Sequence, residues 1–389
     1  MGTVRKRVLP SGLVTWRAAY TDGAGKRRTK QFARKSDGEA WLVEVQHDVA
    51  RGIHTPASVS PTIKQGAALW IKRCNEKGLE PSTVKGYEEH VDLHIVPFIG
   101  AKKASEFNVP MADAFADQLR DAGRSAEMIK KIIGSLGSIF KDLRRRGLCS
   151  IAPTADVDLD LPERDDPRPV IPTKAELQSI IAGAAGRWRP VVLTAIFCGL
   201  RSSELRGLAW SNVDLESKQL SLTQRADASH RIGKLKSKKA YRLIPCPPIV
   251  VNALREWKLA CPKGDLGLVF PNGVGKVESM SNMLDRGLHP ILLAKEITEK
   301  VAVLDAAGKP VINNAGEPVM REIPKYGLHS LRHACASLWI ESGYNPKQIQ
   351  TLMGHSSIKV TFDVYGHLFP DANADQRAAE GVQARLLGG

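Results

Sequence analysis

Six polar residues in the second half of the chain are of types that can handle a phosphate. Arg201 stands in "GLRSSELRGL", with Glu204 one turn further on. Lys236 stands in "GKLKSKKAYRLIP". His329 and Arg332 share "HSLRH", three residues apart and so on one helical face. His355 closes "LMGH", and Tyr365 follows ten residues later in "VTFDVYGHL". Guanidinium forks match the oxygens of a phosphate and neutralise the charge that gathers in a pentavalent transition state. A phenol is a weak nucleophile at its ordinary pKa of about 10. It becomes competent where a base or a cluster of cations favours phenolate character. A lysine can protonate a departing oxygen. Together these groups suit attack of a tyrosine hydroxyl on a phosphodiester, giving a phosphotyrosine bond and a free 5′-hydroxyl. Such a link conserves the bond energy, so no cofactor is expected.

Other chemistries fit less well. There is no carboxylate pair of the kind glycoside cleavage needs and no cluster of metal-binding carboxylates. His329 and His333 stand at i and i+4, a zinc-like spacing. The segment lacks the glutamate of an H-E-x-x-H motif, however, and places Arg332 where a cation would sit. Taken singly, each residue has a bland reading: an arginine as a helix cap or ion-pair partner, a tyrosine as a core side chain. Six of them in a consistent order outweigh those readings as a set.

The elements that must position these residues fall into blocks. Residues 1–55 carry three candidate strands, "VRKRVL", "LVTWRAAY" and "RRTKQF", with "DGAGK" as a turn. Val14, Trp16, Ala18 and Tyr20 alternate onto one face. A helix follows, with Ser36 and Glu39 as a capping box and Trp41, Val45 and Val49 on its inner face. The first 35 residues hold ten Lys or Arg against one acid, Asp22.

Residues 62–150 read as helical. Ser82, Asn108 and Ser125 are the expected caps of successive helices, and the last stops at Gly147. Its apolar stripe is Ile129, Ile132, Ile133, Leu136, Ile139/Phe140 and Leu143. Lys130, Lys131, Lys141 and Arg144 to Arg146 lie largely off that stripe. Residues 151–172 form an acidic linker with five prolines between 153 and 172. From Thr173, capping Glu176, residues 173–389 are mostly helical with one β region, "KQLSLTQ" through "AYRLIP". A short echo, "AGKPVI" and "AGEPVM" at an offset of eight residues, reads as a hairpin or loop insertion. The fold class expected is multidomain and mainly α. It comprises a small N-terminal three-stranded sheet with one helix, a helical bundle, and a mixed α/β domain that is mostly α.

"GLRSSELRGL", "HSLRH" and "LMGHSSIKVTFDVYGHL", in that order, resemble the catalytic boxes of the tyrosine recombinases of the phage integrase type. "KSKKAYRLIP" resembles their lysine-bearing β-hairpin, with Lys236 nine residues before Pro245 and Lys234, Lys238 and Lys239 crowding it. The boxes cover residues from about 173 to 370. The helices at 62–148 resemble the family's core-site-binding domain, and the N-terminal sheet its arm-site-binding domain. The resemblance implies Arg201 and Arg332 as phosphate clamp and Lys236 as general acid for the 5′-oxygen. It implies His329 assisting proton transfer at the tyrosine, His355 bonded to a phosphate oxygen and Tyr365 as nucleophile, with Glu204 orienting the site. It implies a site-specific strand transferase that integrates or excises a phage or mobile element, acting as a homotetramer on core and arm sites of double-stranded DNA. A host DNA-bending protein and an excision directionality factor are possible further partners. A cellular resolvase of chromosome or plasmid dimers and a non-enzymatic DNA-binding regulator are the alternatives. The segment 372–389, with Ala378, Val382 and Leu386 at i+4, would dock on a neighbouring protomer.

The whole-chain properties agree. The 389 residues carry 56 Lys plus Arg against 41 Asp plus Glu, a net charge of +15 that suits a polyanionic partner. No apolar run is long enough to span a bilayer. The N-terminus has no secretion-signal pattern and no serine or threonine for myristoylation after Gly2. The six scattered cysteines read as reduced thiols, so the expected location is the cytoplasm of a bacterial host.

Overall fold

The computed structural model describes residues 2–52, 54–56, 58–155, 169–305 and 308–369, together with 383, 386 and 387. The chain divides into two compact units, 1–165 and 166–389. Most of the segment 372–389 expected to dock on a neighbour, and residues 156–168 of the acidic linker, lie outside the described residues.

The first unit holds two separate cores. The strands β1 (Thr3–Val8), β2 (Val14–Thr21) and β3 (Arg27–Phe32) form an antiparallel sheet in that order. The turn between β2 and β3 is held by Asp22, whose Oδ1 accepts from the backbone N–H groups of Ala24 and Lys26. Helix α1 (Lys35–Ala50) lays Leu42 and Val45 on Tyr20, with Trp41 and Val49 beside them. Ser36 does not cap it. The helix begins one residue earlier, Arg34 occupies the cap position without a side-chain bond, and the Ser36 hydroxyl faces Asp37. A serine already inside the helix cannot reach back to an unpaired N–H of the first turn.

The second core is helical: α2 (Ile63–Glu76), α3 (Pro81–His90), α4 (Val96–Ile99), α5 (Val109–Asp121) and α6 (Ala126–Arg145). Asn108 and Ser125 accept from Met111 N and Met128 N, as side-chain caps do. Ser82 does not cap, because Pro81 takes the first helical position and Ser82 follows it inside the helix. Thr62 and Gln65 form a reciprocal capping box on α2 that the sequence reading passed over. Every residue of the α6 apolar stripe is buried, and Phe107, Phe115 and Phe140 complete that core.

The second unit opens with α7 (Lys174–Gly183), where Thr173 and Glu176 make the expected capping box. Glu176 also accepts from Lys325 Nζ at 2.9 Å and Tyr326 Oη at 3.0 Å, tying the start of α7 to a segment some 150 residues later. Then come α8 (Trp188–Cys198) and α9 (Ser202–Gly207). A small antiparallel sheet runs β4 (Val213–Asp214), β5 (Gln219–Leu222), and later β8 (Arg242–Pro245). Between β5 and β8 stands the two-stranded hairpin β6 (Gln224–Ala226) and β7 (Ile232–Lys234). Helices α10 (Pro248–Ala260), α11 (Met280–Asn282) and α12 (His289–Ala294) lead to a second hairpin, β9 (Thr298–Ala302) with β10 (Met320–Pro324). The chain continues through α13 (Leu328–Glu341), α14 (Pro346–Met353) and α15 (Ile358–Tyr365). Leu193, Ile196, Leu205, Ile244, Leu254 and Leu331 are in the core that joins these elements.

The internal echo is the outer end of the second hairpin. Val311 N donates to Val303 O, Val319 N to Val311 O, and Val303 N to Val319 O, closing a ring of backbone bonds with a period of eight. Each repeat closes its own turn, at Asp305 and at Asn313, whose side chains accept from Lys309 N and Glu317 N. The "one β region" of the sequence reading is therefore two.

Candidate active site

Arg201 sits where α8 has ended and α9 begins. The stop is Gly199, at φ +61°, a left-handed cap that glycine adopts without a Cβ penalty. Two residues on, Arg201 occupies the position before α9. Its backbone N–H donates to Glu204 Oε2 at 2.8 Å and its Nη1 to Oε1 at 2.9 Å. Its Nη2 donates to the Gly354 carbonyl at 2.9 Å.

Arg332 projects from α13 and is 2% exposed. Its Nη1 donates to the Gly199 carbonyl and its Nη2 to the Met353 carbonyl. The two arginines thus grip the same backbone turn at 353–354 from two other elements. Gly354 is itself a left-handed cap of α14, at φ +63°, and a Cβ there would lie 2.9 Å from Arg242 Nη1. That turn delivers His355. Its Nδ1 bonds the buried Thr361 hydroxyl at 2.9 Å, and its ring stacks on Tyr365 at 6.2 Å between centroids and 10° between planes.

Tyr365 closes α15 and is 1% exposed. Its hydroxyl is 2.7 Å from His333 Nδ1. His329, one turn before, packs edge-on against the His333 ring at 4.5 Å. The imidazole in contact with the phenol is therefore His333, which the sequence reading weighed only as a zinc ligand. Arg242 was passed over as well. Parity along β8 could have found it: the apolar Ile244 faces the core, and period-two alternation puts Arg242 on the same face. Its Nη1 and Nη2 bond Glu204 Oε1 and Oε2 at 3.0 and 2.9 Å.

Lys236 is placed differently. It is exposed in the bend after β7 and makes no side-chain hydrogen bond or ion pair among the described residues. The lysine that touches the site is Lys239, whose Nζ donates to the Ser356 carbonyl at 2.7 Å, next to His355.

The charges shape the protonation of these groups. Burial pushes Glu204 upward, but the Arg242 bond and the charges of Arg242, Arg201 and Arg332 outweigh it and hold the carboxyl at about 2. Burial lowers His333 to about 4, aided by His329 and Arg332. Burial lowers His355 to about 3, aided by Arg332, Arg201 and Arg242. Both imidazoles are neutral at neutral pH. Burial also lifts the Tyr365 phenol above its ordinary value, while Arg332 and Arg201 pull it down. Among the described residues no group of three or more His, Cys, Asp or Glu is arranged to hold a metal ion. No described helix is long and apolar enough to cross a membrane.

A phenol held neutral beside two guanidiniums and two neutral imidazoles is an arrangement chemically able to take up a phosphoryl group. The family model described as the phage integrase family matches residues 173–371, about half the chain and the stretch in which the six candidate residues lie. A tyrosine recombinase XerC-like protein of Caldanaerobacter subterraneus subsp. tengcongensis is 24% identical over 373 residues, 90% of each chain. The transposon Tn1549 integrase, solved with circular intermediate DNA, superposes with a TM-score of 0.64 at 20% identity, over 83% of this chain and 99% of its own. A lambda integrase tetramer bound to a Holliday junction superposes at 0.54 and 17% identity, over 90% and 95%. The chain belongs to the phage integrase family. It is a site-specific tyrosine recombinase, an enzyme that transfers DNA strands.

Proposed function

We propose that this recombinase integrates or excises a mobile element by a reaction centred on Tyr365. The Tyr365 Oη attacks the scissile phosphorus. A P–Oη bond forms, the P–O5′ bond breaks, and the strand is held as a 3′-phosphotyrosyl ester until a 5′-hydroxyl reverses the step. His333 accepts the phenol proton through the Nδ1 already in contact with it, and His329 supports His333 from behind. Arg201 and Arg332 neutralise the non-bridging oxygens. In the tautomer whose Nδ1 accepts from the Thr361 hydroxyl, His355 carries its proton on Nε2 and offers it to a phosphate oxygen. Lys236 gives its proton to the departing 5′-oxygen, carried to the phosphate by the β6–β7 hairpin when DNA is bound. The observation that carries this reading is the 2.7 Å contact between Tyr365 and an imidazole, one residue along the helix from a buried arginine.

The partner is double-stranded DNA, engaged by a tetramer. The Tn1549 integrase solved with DNA supports the partner, and the lambda integrase tetramer on a Holliday junction supports the assembly. Residues 62–150 would hold the core site and 1–55 the arm site. One face of the N-terminal sheet supports the arm assignment: Arg5, Arg17 and Arg27 share it with Thr3 and Thr29 around an open concavity. Binding through such contacts weakens steeply with salt as counterions are released. A host DNA-bending protein and an excision factor would complete the assembly, in the cytoplasm of a bacterial host.

The test is covalent trapping. The protein is incubated with nicked duplexes drawn from the flanking genome, in EDTA and without nucleotide, and a slow-migrating adduct is sought. The expected adduct forms with the wild-type chain and is lost in Tyr365→Phe. Occupancy of a site without any adduct would instead support a DNA-binding regulator.

A further inference from the structure

We infer that Arg242 is a positioning residue that sets the phosphate clamp, a role distinct from contact with DNA. It is 8% exposed, and its guanidinium has no open face for a phosphate. Nη1 and Nη2 grip both oxygens of Glu204, Nε donates to the Leu352 carbonyl at 2.6 Å, and Nη1 also donates to Ala240 O at 2.9 Å. Each partner belongs to a different part of the site. Glu204 holds the Arg201 backbone and side chain. Leu352 lies in the last turn of α14, just before the 353 and 354 carbonyls that hold Arg332 and Arg201 and the step to His355. Ala240 closes the turn after Lys236 and Lys239.

One side chain therefore joins three chain segments that are far apart in sequence. The two-pronged bond to a carboxylate needs a planar fork, which lysine lacks. Without that fork Glu204 is left buried with only Arg201 as a cationic hydrogen-bond partner. The Arg201 guanidinium, pulled toward the carboxylate, is then no longer set for a phosphate. Gly354 keeps this arrangement possible, since any Cβ there would strike Arg242 Nη1.

This inference rests on Arg201 acting as phosphate clamp, and the test separates the two. Single-turnover cleavage is measured on the core-site duplex identified by its adduct with the wild-type chain. A second duplex carries a methylphosphonate at the scissile position, where a neutral methyl replaces one charged oxygen and less clamping is required. Arg201→Ala is expected to lose about a hundredfold or more on the phosphodiester, in the range for one preorganised donor, and much less on the methylphosphonate. Arg242→Ala, and Arg242→Lys as a milder variant, are expected to show the same pattern, with duplex binding within about threefold of wild type.

If Arg201→Ala is not relieved by the methylphosphonate, the clamp reading fails. If Arg201→Ala is relieved while the Arg242 variants are equally defective on both duplexes, or cleave at the wild-type rate, the positioning role fails. Should both Arg242 variants unfold by circular dichroism, the neutral pair Arg242→Gln with Glu204→Gln is measured instead. Full cleavage by a folded neutral pair, or its failure to fold as well, would also overturn the proposal.

Discussion

Two basic regions of the second unit are built in opposite ways. Arg332 and Arg242 are buried and Arg201 is half-buried, and every one has a fixed partner: Arg332 on the 199 and 353 carbonyls, Arg201 on Glu204 and the 354 carbonyl, Arg242 on Glu204 and the 352 carbonyl. The lysines at 234, 236, 238 and 239 stand exposed on and after the β6–β7 hairpin, and only Lys239 reaches the site. The difference teaches how the work is divided. A clamp for developing charge is most effective when it needs no rearrangement at the moment of reaction. A general acid must instead meet an oxygen that is present only when DNA is bound.

The comparison breaks first at Arg332. Arg332→Ala leaves the Gly199 and Met353 carbonyls without their donor in a buried place, at about 1–3 kcal/mol each. It also removes half of the clamp. Cleavage is expected to fall by about two to three orders of magnitude, with a lowered Tm, read by single-turnover kinetics and thermal melting. A variant that melted and cleaved like wild type would mean the buried arginine is idle.

A smaller effect is expected at His333. Glutamine there keeps a hydrogen-bonding group near the phenol but accepts no proton, and a positioned base contributes typically about 10²–10⁴-fold. We expect the low end of that range. His329→Gln should cost less than His333→Gln, since His329 touches the phenol only through its neighbour. The reverse order would return the proton-transfer role to His329.

The smallest effect is on stability against pH. The folded chain holds His333 near 4 and His355 near 3, both below the ordinary 6.5. Between those values the unfolded chain binds protons that the folded chain refuses, so stability is full above about 6.5 and falls as the solution is acidified. Glu204, held near 2, adds its own loss only below the ordinary carboxylate range. Urea midpoints measured from pH 7 to 5 should therefore decline, and decline less steeply in His333→Gln. Identical slopes would show that His333 is not held neutral by the fold.

Much of this was legible in the sequence, and the exceptions have physical causes. The buried stripe of α6, the caps at Asn108, Ser125 and Thr173, and the three N-terminal strands follow from local periodicity and local hydrogen bonds. Ser36 and Ser82 misled because a capping residue is defined by where the helix starts, and the two helices start at Lys35 and Pro81, which leaves both serines inside the first turn. Arg201, Arg332, His355 and Tyr365 were visible as motifs, and the fold brings them together. The contact of His333 with the phenol was not visible, since choosing between two histidines on one helix needs the position of Tyr365, 32 residues away. Strand parity puts Arg242 on the core face, but its partners, 38 and 110 residues distant in other motifs, could not be read.

The measurement that tests the division of labour most directly replaces the scissile 5′-oxygen with sulfur. A thiolate leaves without a proton, so the step no longer needs a general acid, while the charge on the phosphate still needs its clamp. Lys236→Ala, Lys239→Ala and Arg201→Ala would be compared on the oxygen and sulfur duplexes by the rate of adduct formation. The account predicts that Lys236→Ala is slow on oxygen and close to wild type on sulfur, while Arg201→Ala stays slow on both. Restoration of Lys239→Ala in place of Lys236→Ala, or of Arg201→Ala alone, would contradict it.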